Sequence, residues 1–244
     1  MPMSKHNYFW IRASLLSIFF FFAISLFFWG ILAYNIPPID ASISAADLAQ
    51  HFREHAVRLR IGYGVALPMY GLMLPWSVAV FALMRRIEGG DGILSYVQLG
   101  GGILTVVVMS IGNAFWLTAA FRPGTDPAII QMLYDAGWLT VDLFFGVTTL
   151  QYCALALVLL QDRAPKKLAP KWFLWLGFWL SMEFMLEMIM PHFRSGPFSW
   201  SGLFNYWVPF FGPITWVTII TIILYRNVSR FEEEDRAALA GSGK

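Results

Sequence analysis

One cysteine, Cys153, occurs in 244 residues, which excludes a disulfide framework and a cysteine-rich metal site. Charge is nearly as scarce. Charged residues make up 13% of the chain, about half the usual share of a soluble domain, too few to cover a water-facing surface. The net charge of +2 is too small for the electrostatic footprint of a nucleic-acid-binding protein. Disorder is excluded from the other direction, because 58% of the residues are hydrophobic, 17% are aromatic, and the mean hydropathy is +0.60. A chain of this composition is an integral membrane protein.

What is present is a set of long uncharged runs. A helix needs about 20 apolar residues to cross the hydrocarbon core. Runs of that length cover residues 13–34, 61–84, 96–121, 129–160, 172–190 and 203–225. The fourth is too long for one crossing, so its first turns are expected at the interface. The runs are apolar on both parities, against the alternation of a membrane β-barrel strand, and a continuous helix satisfies its own backbone in lipid. The expected fold is all-α: a polytopic bundle of six transmembrane helices with a short outer helix between the first and second. One membrane domain covers residues 1–230, followed by a short charged cytoplasmic tail over 231–244.

Lysine and arginine set the orientation. The ends carrying Lys5, Arg12, Arg85, Arg86, Arg163, Lys166, Lys167, Lys171, Arg226, Arg230, Arg236 and Lys244 hold 12 of the 17 cationic residues. Arg53, Arg58, Arg60, Arg122 and Arg194 lie on the other side. Both termini are therefore expected in the cytoplasm, as an even number of spans requires. The first run exceeds the h-region of a signal peptide and has no small-residue cleavage site close behind it, so it is read as an uncleaved span.

Between spans, Ser44 precedes Asp47 at capping-box spacing and predicts a helix running from about Ala45 into the second span. Gly89-Gly90-Asp91-Gly92 reads as a turn. Gly100, Gly101 and Gly102 open the third span with neither a P-loop lysine nor a preceding strand, and are expected to permit close helix contact. An Arg122–Asp126 contact is expected to fix the turn between spans three and four. The stretch 231–236 reads as a solvated helix end, and Gly241-Ser242-Gly243 as its frayed terminus.

An ionisable group inside a bilayer costs roughly 2.5–3.5 kcal/mol on insertion scales, so each needs a reason. In the orientation above, Asn113, Asp142, Glu183, Glu187 and Asn205 all fall in the outer half of the membrane, and the inner halves hold almost no polar group. Glu183 and Glu187, spaced i, i+4, are expected on one helix face, where two carboxylates in apolar surroundings should not both carry charge. That suits acid–base work, cation binding or buried hydrogen-bonding. Glu183 and Glu187 are the candidate catalytic pair. Asn113, Trp116, Asp142, His192, Asn205 and Tyr206 are the candidate ligand-binding residues.

On the outer helix Asp47, His51 and His55 form an i, i+4, i+8 stripe. Paired histidines at i, i+4 have metal-ligand spacing, although His51-Phe52-Arg53-Glu54-His55 is not the zincin motif, because Glu54 is misplaced. A solvated helix face, with Arg53, Glu54 and Arg58 in surface pairs, is the preferred reading of the stripe, ahead of a metal or a ligand or partner contact. The aromatics of Gly196-Pro197-Phe198-Ser199-Trp200 and Tyr206-Trp207 fit an interface anchor or the mouth of an apolar pocket.

Four stretches resemble a group of uncharacterised bacterial integral membrane proteins. They are residues 47–55, Met84-Arg85-Arg86-Ile87-Glu88-Gly89, Phe121-Arg122-Pro123 and residues 196–203, within a similarity running over residues 36–225. The resemblance implies a six-helix topology in a cell inner membrane. That group has no established activity, so no catalytic residue carries over.

Three functions compete at this stage. The first is binding of an apolar small molecule or a membrane partner through the outer half, in contact with membrane lipid and with other membrane subunits as further candidates. The second is an intramembrane enzyme acting on a lipophilic substrate. The third is a transporter or proton-coupled carrier, which the absence of an internal repeat weakens. The sequence names no cofactor.

Overall fold

The computed structural model describes residues 5–89, 91–165 and 167–242. Gly90, Lys166, Gly243 and Lys244, which enter the turn, the charge count and the tail above, lie outside them. The chain is an all-α bundle with six helices long and apolar enough to cross a membrane: span 1 Asn7–Leu32, span 2 Ala56–Glu88, span 3 Ile93–Phe121, span 4 Pro127–Leu160, span 5 Lys171–His192 and span 6 Leu203–Ala237. A connecting helix, Ala45–Glu54, stands between spans 1 and 2. Large apolar side chains such as Phe20, Met132 and Trp179 point outward with about two-thirds of their surface exposed (63%, 63% and 65%). A helical bundle wearing such a surface belongs in lipid. This is a multi-pass membrane protein.

Both chain ends lie at one end of the bundle, the termini end. There Tyr8 donates its hydroxyl to the Asp235 carboxylate at 2.7 Å, Arg86 donates to the same carboxylate at 2.7 Å, and Arg12 pairs with Glu232 at 3.2 Å. These contacts overturn the solvated reading of the tail. The last helix continues from span 6 to Ser242, and it buries Phe231 and Asp235 against spans 1 and 2. The cause is the carboxylate run itself, which meets arginines at the near ends of two neighbouring helices.

Helix-breaking signals are absorbed rather than obeyed. Pro68 has no N–H to give, and span 2 tightens into a 3-10 turn at Tyr70–Leu72, where Ser17 donates its hydroxyl to the Leu72 carbonyl at 2.7 Å. Gly89 and Gly92 adopt φ of 68° and 61° between spans 2 and 3, a left-handed geometry that favours glycine. Within the glycine run only two positions need their hydrogen. A Cβ on Gly101 would stand 2.6 Å from the Val147 carbonyl oxygen, and one on Gly102 would collide with Ser77, while Gly100 faces open space. Spans 3 and 4 pack backbone to backbone there.

The opposite end, the loop end, is closed by the connections. Ser44 caps the connecting helix, accepting from the Asp47 N–H at 3.2 Å and donating to the Asp47 carboxylate at 2.6 Å. Leu48, Ala49 and Phe52 are its buried face, and Phe52 meets Tyr134 of span 4 edge-on at 5.8 Å. The helix does not run on into span 2 as expected but breaks at His55 (φ −112°, ψ 15°). Arg58 is drawn back instead to the end of span 1, donating to the carbonyls of Leu32 at 2.9 Å and Ile31 at 3.0 Å, two groups that a helix C-terminus leaves without partners. Arg58 therefore makes no surface pair with Glu54, which accepts from Gln50 at 2.8 Å. Nor does Asp126 serve the turn by meeting Arg122; it caps span 4 by accepting from the Ala128 N–H at 2.8 Å. Trp200 donates to the Ile39 carbonyl at 3.0 Å and ties the last connection to the first.

Candidate functional site

Three spans change helical form at the same depth of the bundle. Span 1 widens into a π-helix over Ser25–Leu32, span 6 begins with π turns at Leu203–Trp207, and span 5 tightens into a 3-10 helix over Phe184–His192. Each change rotates the following side chains away from the register of a regular helix. Between them, bounded by all six spans, lies a cavity of about 200 Å³.

Eleven of its 25 lining residues are aromatic. Trp138 is the hub, with its ring 5.0 Å from Trp116, 6.0 Å from Tyr206, 6.1 Å from Trp29 and stacked at 6.2 Å on Trp200. Phe210 lies 5.7 Å from Trp29 and stacks on Tyr206 at 5.5 Å. Trp116 is held by donating to the Tyr134 carbonyl at 3.1 Å, and a Cβ on Gly137 would occupy the space of its indole. Tyr206 is held by donating to the buried Asn35 carbonyl.

Into this apolar shell the protein sets polar atoms that it does not satisfy. The hydroxyl of Ser25, the indole nitrogen of Trp29, one oxygen of Asp142 and the side-chain oxygen of Asn205 are all buried without a hydrogen-bond partner, and all four residues line the cavity. Asn205 spends its amide on the Phe198 carbonyl, which leaves the oxygen over. Glu187 lines the same cavity, 4% exposed, within electrostatic reach of Asp142 and Glu183. An unpaired buried polar group costs about 1–3 kcal/mol, and these come from spans 1, 4 and 6 to one cavity.

The expected site residues divide as follows. Trp116, Asp142, Glu187, Asn205 and Tyr206 line the cavity. Asn113 does not. It is consumed in the packing of span 3, donating to the Tyr63 carbonyl at 2.8 Å and accepting from the Tyr70 hydroxyl at 3.3 Å. His192 is exposed at the loop end. Glu183 is also outside the lining, and both of its oxygens are buried without a partner. The expectation that Glu183 and Glu187 share a face assumed an α-helix. Span 5 turns 3-10 at Phe184, and four residues then advance about 480° instead of about 400°; Glu187 lines the cavity and Glu183 does not, although the two stay within electrostatic reach.

The histidine stripe also has other employment. His51 and His55 lie 4.7 Å apart, ring to ring, each against Tyr34 at 5.0 and 4.8 Å, with the Arg58 guanidinium 4.1 Å above the Tyr34 ring. Asp47 is engaged with Ser44. Among the described residues no three His, Cys, Asp or Glu side chains are grouped to hold a metal ion. Burial and then the neighbouring His55 hold His51 below its ordinary pKa.

Ser25, Trp29 and Trp138 were missed by sequence reasoning, since an indole or hydroxyl in an apolar run carries no mark of whether it will find a partner. The inner halves are also less apolar than expected. Thr105 and Thr148, on the cavity wall, share a hydrogen bond of 2.9 Å; Thr105 donates to Gln151 at 3.5 Å, and Gln151 donates to Ser77 at 3.4 Å. Gln98, one helical stretch further toward the termini end, is fully buried with its amide unpartnered. These uncharged groups escaped a search that followed charge.

No family model, no curated protein and no solved structure matches this chain. Its class is set by fold and cavity: a six-span helical membrane protein enclosing an aromatic chamber with two carboxylates in its wall.

Proposed function

We propose that the protein binds an apolar small molecule within the bundle, in the central cavity. The observation that carries this reading is the coincidence of an aromatic-rich cavity with four buried polar atoms that lack partners in the protein. A chamber needed only for packing would be filled by side chains, because interiors are close-packed. Ligand pockets characteristically combine apolar walls with a few polar groups that fix orientation. Apolar cavities of about 150 Å³ take up benzene, so this one suits a ligand body of about one ring or a short branched chain.

The test is thermal stabilisation of the purified protein by toluene, set beside the cavity-filling variant Val108→Phe. The wild type should gain in melting temperature and the variant should not. Equal gains in both, or none in either, would count against the cavity as the binding place.

A further inference from the structure

We propose that the molecule bound in the cavity is an organic cation, an alkylammonium or quaternary ammonium compound of about one-ring size; this rests on the cavity being the binding place. Asp142 and Glu187 come from different spans to one chamber, and the cavity wall includes no Lys, Arg or His to answer them. Among the described residues neither enters an ion pair, and Asp142 keeps a buried oxygen without any hydrogen bond. Two carboxyls close together in apolar surroundings do not both stay ionised without a counter-charge, and a bound cation would supply it.

The rest of the wall says which cation. Trp29, Trp138 and Phe210 line the cavity, and aromatic rings of that kind attract an ammonium group while their area covers its hydrocarbon body. Among the described residues no three His, Cys, Asp or Glu side chains are grouped to hold a metal ion instead. An anion would meet both carboxylates. A neutral hydrocarbon would fill the space and leave the acidic wall unanswered.

Benzyltrimethylammonium and its uncharged isostere neopentylbenzene separate these cases by titration of the full chain in detergent micelles, read by tryptophan fluorescence. The wild type should bind the cation at least tenfold more tightly than the isostere. Asp142→Asn and Glu187→Gln should each cut cation affinity about tenfold, leave the isostere unchanged, and melt cooperatively. If the isostere binds as tightly as the cation, the cation assignment fails and the apolar-molecule reading stands. A cation preference that survives in both variants places it outside this wall and also overturns the assignment. If neither probe binds to protein that melts cooperatively, the binding reading falls with it.

Discussion

At the termini end three carboxylates drawn into the helix packing meet cations: Asp235 meets Arg86, Glu232 meets Arg12, and Asp162 takes two hydrogen bonds from Arg230 at 2.9 and 3.1 Å. Around the central cavity, Asp142, Glu183 and Glu187 are buried or half-buried without one among the described residues, and the indole of Trp29 finds no acceptor. The same residue types do different things at the two places. Pairing at the first locks spans 1, 2 and 6 together. Withholding a partner at the second keeps a wall reactive toward something that is not protein.

The largest effect should come from breaking the lock. Arg86→Met leaves Asp235 buried against Tyr8 without its cation, a change that costs about 3–5 kcal/mol in buried pairs. The double variant Arg86→Met with Asp235→Leu should recover much of that loss; melting in detergent reads both. Next comes packing that is independent of charge. Gly101→Ala drives a methyl toward the Val147 carbonyl and should cost roughly 1–3 kcal/mol, while Gly100→Ala, facing open space, should cost little. Smaller and opposite in sign is the cavity wall. Without ligand, Asp142→Asn relieves the crowding of two carboxyls in apolar surroundings and should raise stability by about 1 kcal/mol, whereas Asp235→Asn should lower it. A loss of stability in both would erase the distinction between the two regions.

The smallest effects are those of pH. His51 sits below its ordinary pKa through burial and then His55, so the unfolded chain takes up the proton first, and the folded state loses stability as pH falls through about 6.5 until the folded His51 is protonated too. His51→Gln should flatten that slope. Asp162 behaves differently. Desolvation pushes its carboxyl upward, but the hydrogen bonds from Arg230 outweigh it and hold it below the usual range. Its contribution is therefore complete above about pH 4 and lost as pH falls through the lowered folded value. Arg230→Gln should remove the acid-side loss and leave the His51 slope alone.

The spans were legible because the hydrocarbon core imposes a length on any helix that crosses it, and length and hydropathy are properties of sequence. Asp142 and Glu187 were legible as cavity residues for a related reason, since a carboxylate in lipid must face the interior. The details that decide the site were not. Whether Glu183 joins Glu187 depends on a switch from α to 3-10 geometry at Phe184, which no residue pattern announces. Asn113 had the same polar signature as Asn205, but its amide meets the Tyr63 carbonyl and its oxygen the Tyr70 hydroxyl, while the Asn205 oxygen meets nothing in the protein. Satisfaction is a property of packing between distant helices, so it became visible only in three dimensions.

The central claim is that the chamber between Trp29, Trp138, Asp142 and Phe210 exists to hold a guest. An experimental density map of the protein extracted directly into lipid nanodiscs tests it most directly. The account predicts non-protein density in the chamber, in contact with the Asp142 or Glu187 carboxylate. A chamber closed by those side chains turning to hydrogen-bond one another would contradict it.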